Sequence, residues 1–282
     1  MRSISCEDLS ALTTDAYHDG HLTGAPRISM FGSESLSLNR DLRIAKEVQK
    51  AFIPQSPPSI PDLSCAMYYQ PAHCIGGDYY DFFQLPNGRW GIAIGDVSGK
   101  GIGAALMMAT LHASMRAQVL QAHSGPATLI SSVNLLVHES SPPHFFASLF
   151  YAEYNPSTRL LQYINAGHNP PIVIRCNERG SMLFQLNHGG APLGIFADSP
   201  HHPKAFQLAP GDTIVACTDG ITEAENIDGE GWGQKRLEDS LSTCRCRTAQ
   251  QVLEDLMTEI SIFTDGTPQK DDMALMVMQV QP

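Results

Sequence analysis

Four short carboxylate motifs stand far apart in this chain, each at the end or edge of an apolar, strand-like run. They are Gly-Gly-Asp-Tyr-Tyr-Asp (Gly76–Asp81), Gly-Asp-Val-Ser-Gly-Lys-Gly (Gly95–Gly101), Thr-Asp-Gly (Thr218–Gly220) and Asp-Asp (Asp271–Asp272). Strand ends are where a folded sheet gathers residues that are distant in sequence. Carboxylates gathered there repel one another unless a cation lies between them. Oxygen ligands with no His or Cys close by select hard divalent ions, Mg²⁺ or Mn²⁺, over zinc. The pattern points to metal-dependent chemistry on phosphate groups.

Composition removes several other classes. A length of 282 residues allows one large domain or two small ones, and an apolar fraction of 43% is ordinary for a globular chain. The net charge of −11 and the lack of a basic stripe with interleaved aromatics argue against nucleic acid as a partner. Lys235–Arg236 with Arg245 and Arg247 is too short a basic stretch to change that. The seven cysteines include no Cys-x-x-Cys, and Cys244-x-Cys246 lacks a second ligand pair, so zinc is not expected. The cysteines read as reduced cytosolic thiols, several of them core fillers. Met1–Ser10 carries no basic-then-apolar pattern, and no apolar run approaches spanning length. A cytoplasmic protein with no membrane partner is the expectation.

Residues 1–36 are rich in Ser, Thr, Asp, Gly and His without a period, which predicts a flexible N-terminal arm up to about residue 38. Leu42, Ala45, Val48 and Phe52 then recur at helical spacing, Asp41 suits the first turn, and Pro54 stops the helix. A helix over Asn39–Ile53 and a Pro-rich linker to Pro61 are therefore expected, with a catalytic domain over 62–282. Within it Trp90–Val97 reads as a buried strand. Gly101–Val119 reads as a helix with Met108, His112, Met115 and Val119 on one face, and Pro126 opens another. Hairpins are expected from Phe146–Tyr154 with Leu160–Asn165, and from Ile172–Arg175 with Met182–Leu186. Thr213–Thr218 and Met273–Val280 read as strands, and Thr248-x-x-Gln251 as the capping box of a helix. Central hairpins with paired helices imply an α+β class, helices flanking antiparallel sheets, and not a βαβ winding.

Each motif has a plainer explanation when taken alone. Asp96 could cap a tight strand-to-helix turn. Its glycines do not make a Walker loop, because only three residues separate Gly95 from Gly99 and Gly101 follows Lys100. Asp219-Gly220 is a common turn after a strand. Asp271 and Asp272 could simply open a solvated strand, and Asp78 and Asp81 could belong to an edge strand. One chain carrying all four in this order is harder to explain so.

Taken with Tyr163–Pro171 (YINAGHNPP) and Ala191–Ile195 (APLGI), these stretches make the sequence resemble the PPM group of metal-dependent serine/threonine phosphatases, specifically the bacterial SpoIIE/RsbU branch. The resemblance spans about residues 41–280. It implies a four-layer αββα sandwich, two antiparallel sheets flanked by helices. It implies two Mn²⁺ or Mg²⁺ ions held by Asp78, Asp96, the Val97 carbonyl, Asp219 and Asp271, with Asp272 a further candidate. Asp96 would bridge the ions, and a water activated between them would attack phosphorus in line. His168 invites a general-acid role, but a structural histidine hydrogen-bonded in a turn is the favoured explanation. Two departures stand out: Ala274 replaces a frequent Thr, and the phosphate-clamping Arg of eukaryotic relatives has no counterpart. The implied substrate is a phosphorylated STAS-type regulatory protein in a partner-switching pathway, with helix 39–53 a candidate homodimer or docking element. A catalytically weak scaffold of the same fold and a two-metal hydrolase of small phosphorylated metabolites are the competing readings.

Overall fold

The computed structural model describes residues 29–121, 125–178, 180–243 and 247–281. The expected N-terminal arm lies outside them as far as residue 28. The first helix, α1 (Ser29–Lys50), begins before the expected Asn39 and ends before Ile53. Its end tightens into i→i−3 bonds, Ala51 N–H to Val48 O and Phe52 N–H to Gln49 O, before Pro54 stops it. The face it turns inward also differs from expectation: Val48 is 51% exposed, whereas Gln49 is buried.

The remaining elements are β1 (Leu63–Gln70), β2 (Tyr79–Gln84), β3 (Trp90–Val97), α2 (Gly101–Val119), α3 (Pro126–Ser140), β4 (Ala147–Asn155), β5 (Leu160–Ala166), β6 (Ile172–Asn177), β7 (Gly180–Gln185), β8 (Gly189–Gly190), β9 (Lys204–Gln207), β10 (Thr213–Cys217), α4 (Asp219–Thr222), α5 (Gly233–Thr243), α6 (Ala249–Thr264) and β11 (Met273–Val280). One sheet runs β1-β11-β10-β6-β7, antiparallel throughout. The other runs β2-β3-β4-β5, with β9 antiparallel on β5 and the two-residue β8 parallel to it.

Side-chain alternation along the strands decides how the layers stack. In β11, Ala274, Met276, Met278 and Val280 enter the core shared with the second sheet, while Met273, Leu275 and Val277 join the core under α5 and α6. On the far side, Met108, Leu111 and Met115 of α2 and Leu129, Ile130 and Val133 of α3 cover the second sheet. Each such fully buried side chain contributes about 1.5–3 kcal/mol. The architecture is thus the four-layer αββα sandwich, and Thr248 and Gln251 form the expected capping box of α6.

Among the described residues, no helix is long and apolar enough to cross a membrane. Cys65 and Cys217 carry free thiols, but Cys74 is disulfide-bonded, contrary to the expectation of reduced thiols.

Candidate functional site

Strand register brings the motifs together. In the first sheet Cys217 at the end of β10 pairs with Leu275 near the start of β11, so Asp219 and Asp271 emerge at the same end. In the second sheet Tyr79 pairs with Gly95, so Asp78 just before β2 lies beside Asp96 near the end of β3. Packing the sheets face to face joins the two pairs. Asp96, Asp219 and Asp271 line one cleft of about 320 Å³, together with Ser98, Lys100, Ser148, His168 and Asn169. Asp78 is buried behind Asp96, shares a hydrogen bond with it, and accepts a second from Thr218 Oγ1 at 2.7 Å. That hydroxyl also accepts from the Ala274 N–H, so the missing Thr at 274 does not leave Asp78 without a hydroxyl partner.

The electrostatics follow from crowding. Burial first, then the charges of Asp219, Asp271 and Asp272, push Asp96 up to about 8. Burial and the neighbouring Asp96 raise Asp78 well above the usual carboxylate range, and burial with Asp271 and Glu223 raises Asp219. A divalent cation would relieve this repulsion, and the donors are all oxygen. Among the described residues no three His, Cys, Asp or Glu side chains converge tightly enough to hold an ion as they stand. The carboxylates surround a space instead, and Lys100 Nζ lies 2.6 Å from Asp271 Oδ2. In the kind of donor and in charge, the residues fit the implied ions.

The neighbouring aspartates of the last motif do different work. Asp271 faces the cleft. Asp272 turns away, and its oxygens accept from the backbone N–H groups of Ala72 (2.8 Å) and Gly77 (2.6 Å). It thereby holds the turn that delivers Asp78. That turn needs Gly76, because a Cβ there would lie 2.3 Å from Asp272 Oδ2. The Val97 carbonyl oxygen faces the same turn at Gly77. From the other side Gln49 of α1 grips Gly76 twice, donating to its carbonyl at 2.7 Å and accepting from its N–H at 3.0 Å.

Asp81 stands apart from the cleft, fully buried and paired with Arg116. His168 is buried, with ring Nδ1 2.8 Å from Ser148 Oγ and its backbone N–H donating to Asn165 Oδ1. Burial holds its ring down at about 4, so it carries no extra proton near neutrality and is not a ready general acid. Sequence reasoning missed Lys100, Ser148, Thr218 and Gln49. Only Lys100 and Thr218 lay inside motifs already marked, and a Ser on a strand or a Gln on a helix gives no signal of its own.

A family model described as Stage II sporulation protein E (SpoIIE) matches residues 86–281. Asp78 and its turn precede that segment. Protein IcfG of Synechocystis sp. (strain ATCC 27184 / PCC 6803 / Kazusa) is 27% identical over 84% of this chain and 41% of its own length. Phosphoserine phosphatase RsbU of Bacillus subtilis is 28% identical over 86% of this chain and 70% of its own. The chain thus spans about two fifths of the first of these relatives. Among solved structures, the SiaA-PP2C domain of Pseudomonas aeruginosa superposes with a TM-score of 0.77 at 18% identity, covering 88% of this chain and 99% of that domain. The RsbU and RsbW domains of Rv1364c from Mycobacterium tuberculosis give 0.66 at 24%, covering 82% and 63%.

Proposed function

The chain belongs to the SpoIIE family, in the RsbU-like branch of the PPM-type phosphatases, and from that premise we propose that it is a metal-dependent protein serine/threonine phosphatase. The observation that carries this reading is the gathering of Asp96, Asp219 and Asp271 from two sheets into one cleft, with Asp78 held behind them. Asp96, the Val97 carbonyl, Asp219 and Asp271 would hold two Mn²⁺ or Mg²⁺ ions. Asp78, fixed by Thr218, would bind through solvent, and Asp272 would act only through the turn it holds. Bound ions supply Lewis acidity for water and for the phosphoryl group. The chain's own part is to orient. Thr218 and Asp272 fix the acidic side, and the Ser98, Ser148 and Asn169 wall bounds the space for a phosphorylated side chain. With His168 neutral, solvent supplies the proton for the departing seryl or threonyl oxygen.

The substrate we propose is a phosphorylated STAS-type regulatory protein in a partner-switching pathway of the cytoplasm. The similarity to RsbU, and to a protein carrying RsbU and RsbW domains, supports it. Helix α1 is the candidate surface for a homodimer. The test is phosphate release from a phosphoserine peptide by wild type in Mn²⁺, by wild type in EDTA, and by Asp219→Asn in Mn²⁺. Release is expected only in the first case. Folded wild type that binds Mn²⁺ yet releases none would favour the scaffold reading, and equal turnover by Asp219→Asn would remove the assigned site.

A further inference from the structure

We propose that Lys100 is a further substrate-binding residue of the cleft, its ammonium group taking an oxygen of the phosphoryl group. The proposal rests on the phosphatase reading above and deepens it. Among the described residues that line the cleft, Lys100 alone carries positive charge, facing Asp96, Asp219 and Asp271. A phosphomonoester dianion entering among these carboxylates meets, beside the ions they would hold, one described side chain of opposite charge.

The position suits that role. Lys100 is the last residue before α2, extended at φ −138° and ψ 160° between Gly99 and Gly101, which both have positive φ. Its side chain is 48% exposed, and Nζ rests on Asp271 Oδ2 at 2.6 Å and on the Lys270 carbonyl at 2.8 Å. An ammonium has three donors, so these two contacts leave one for a ligand. Lys100 and Asp271 also line a second cavity of about 290 Å³, so the ammonium stands on the ridge between the cleft and this neighbouring space. A half-exposed ion pair is a weak restraint. The ammonium can therefore swing from Asp271 to a phosphoryl oxygen without disturbing the fold, and charge-assisted bonds to phosphate are among the stronger ones a side chain makes. The competing role is purely structural: Lys100 would brace Asp271 and never touch substrate.

The two roles separate on the full chain in Mn²⁺, comparing wild type, Lys100→Gln and Lys100→Arg. Inorganic phosphate binding is read by calorimetry, Mn²⁺ affinity by the EPR signal of free Mn²⁺, and KM and kcat on a phosphoserine peptide. Lys100→Gln should weaken phosphate binding and raise KM by about tenfold or more, with Mn²⁺ affinity kept within about twofold. Lys100→Arg should recover most of the loss. Unchanged phosphate affinity in Lys100→Gln overturns the proposal, as does Mn²⁺ affinity falling in step with phosphate. Wild type that binds Mn²⁺ but neither binds phosphate nor hydrolyses the peptide overturns the phosphatase reading, and the role of Lys100 with it.

Discussion

Asp96, proposed above as a metal ligand, sits where its own charge costs stability. Its folded pKa of about 8 lies far above the ordinary 3.8, because burial and three other aspartates disfavour its charge. Between those two values the folded carboxyl keeps a proton that the unfolded chain releases, so its contribution to stability falls as pH rises from about 4 to about 8. Asp96→Asn removes that term. In EDTA at pH 8 the variant should melt higher than wild type by at least about 3 °C, while losing Mn²⁺-dependent turnover. A variant that melts lower in EDTA would show that the crowding penalty is absent. At this scale the sequence displayed the aspartates but not their division of labour. Asp271 and Asp272 are adjacent on a strand-like path, and successive side chains point opposite ways. The partner that claims Asp272 is the turn around Gly76, remote in sequence, and no local pattern announces it.

At the scale of elements, α1 is stitched into the site from outside. Gln49 grips Gly76, the Phe52 ring stacks on His112 of α2 at 4.9 Å, and Tyr80 Oη donates to the Pro54 carbonyl. The helix end thus touches both the turn before Asp78 and the helix after Asp96. Gln49→Ala leaves the Gly76 N–H and C=O without these partners, and an unsatisfied buried group costs about 1–3 kcal/mol. Urea unfolding should therefore show a loss of about 2–4 kcal/mol, far more than for an exposed helix glutamine. A loss below about 0.5 kcal/mol would mean that water replaces the clamp. Hydrophobic spacing revealed the helix and Pro54 its stop, but it put Val48 on the inner face. The turn's backbone needs a hydrogen-bonding partner, and that demand seats Gln49 inward and leaves Val48 and Ile44 exposed. Polar matching of this kind has no period to read.

For the whole molecule, the two central hairpins and the helices at 39–53, 101–119, from 126 and from 248 were legible in order while α5 was not, yet nothing local says which strand joins which sheet. β2 and β3 pair in one sheet while β1, which precedes them, pairs with β11 at the far end of the chain. That long-range closure sets carboxylates from both sheets around a common space, so ions held there would tie the layers together. Protons compete with such ions for the same oxygens. Without metal, Asp96 costs stability as pH rises from about 4 to about 8, and the raised Asp78 and Asp219 act in the same direction. His168 has the opposite slope. Its folded pKa of about 4 lies below the ordinary 6.5, so the unfolded chain takes up a proton that the folded ring refuses, and stability falls as pH drops from 6.5 to about 4. Mn²⁺ should therefore stabilise little at pH 5 and much more at pH 8. At one hundred times its dissociation constant the gain is about 2.7 kcal/mol, a rise in melting temperature of roughly 5–10 °C. Thermal melts at pH 5, 6, 7 and 8, each in EDTA and in Mn²⁺, give the comparison. A Mn²⁺ shift of equal size at every pH would mean that the ion binds away from these aspartates.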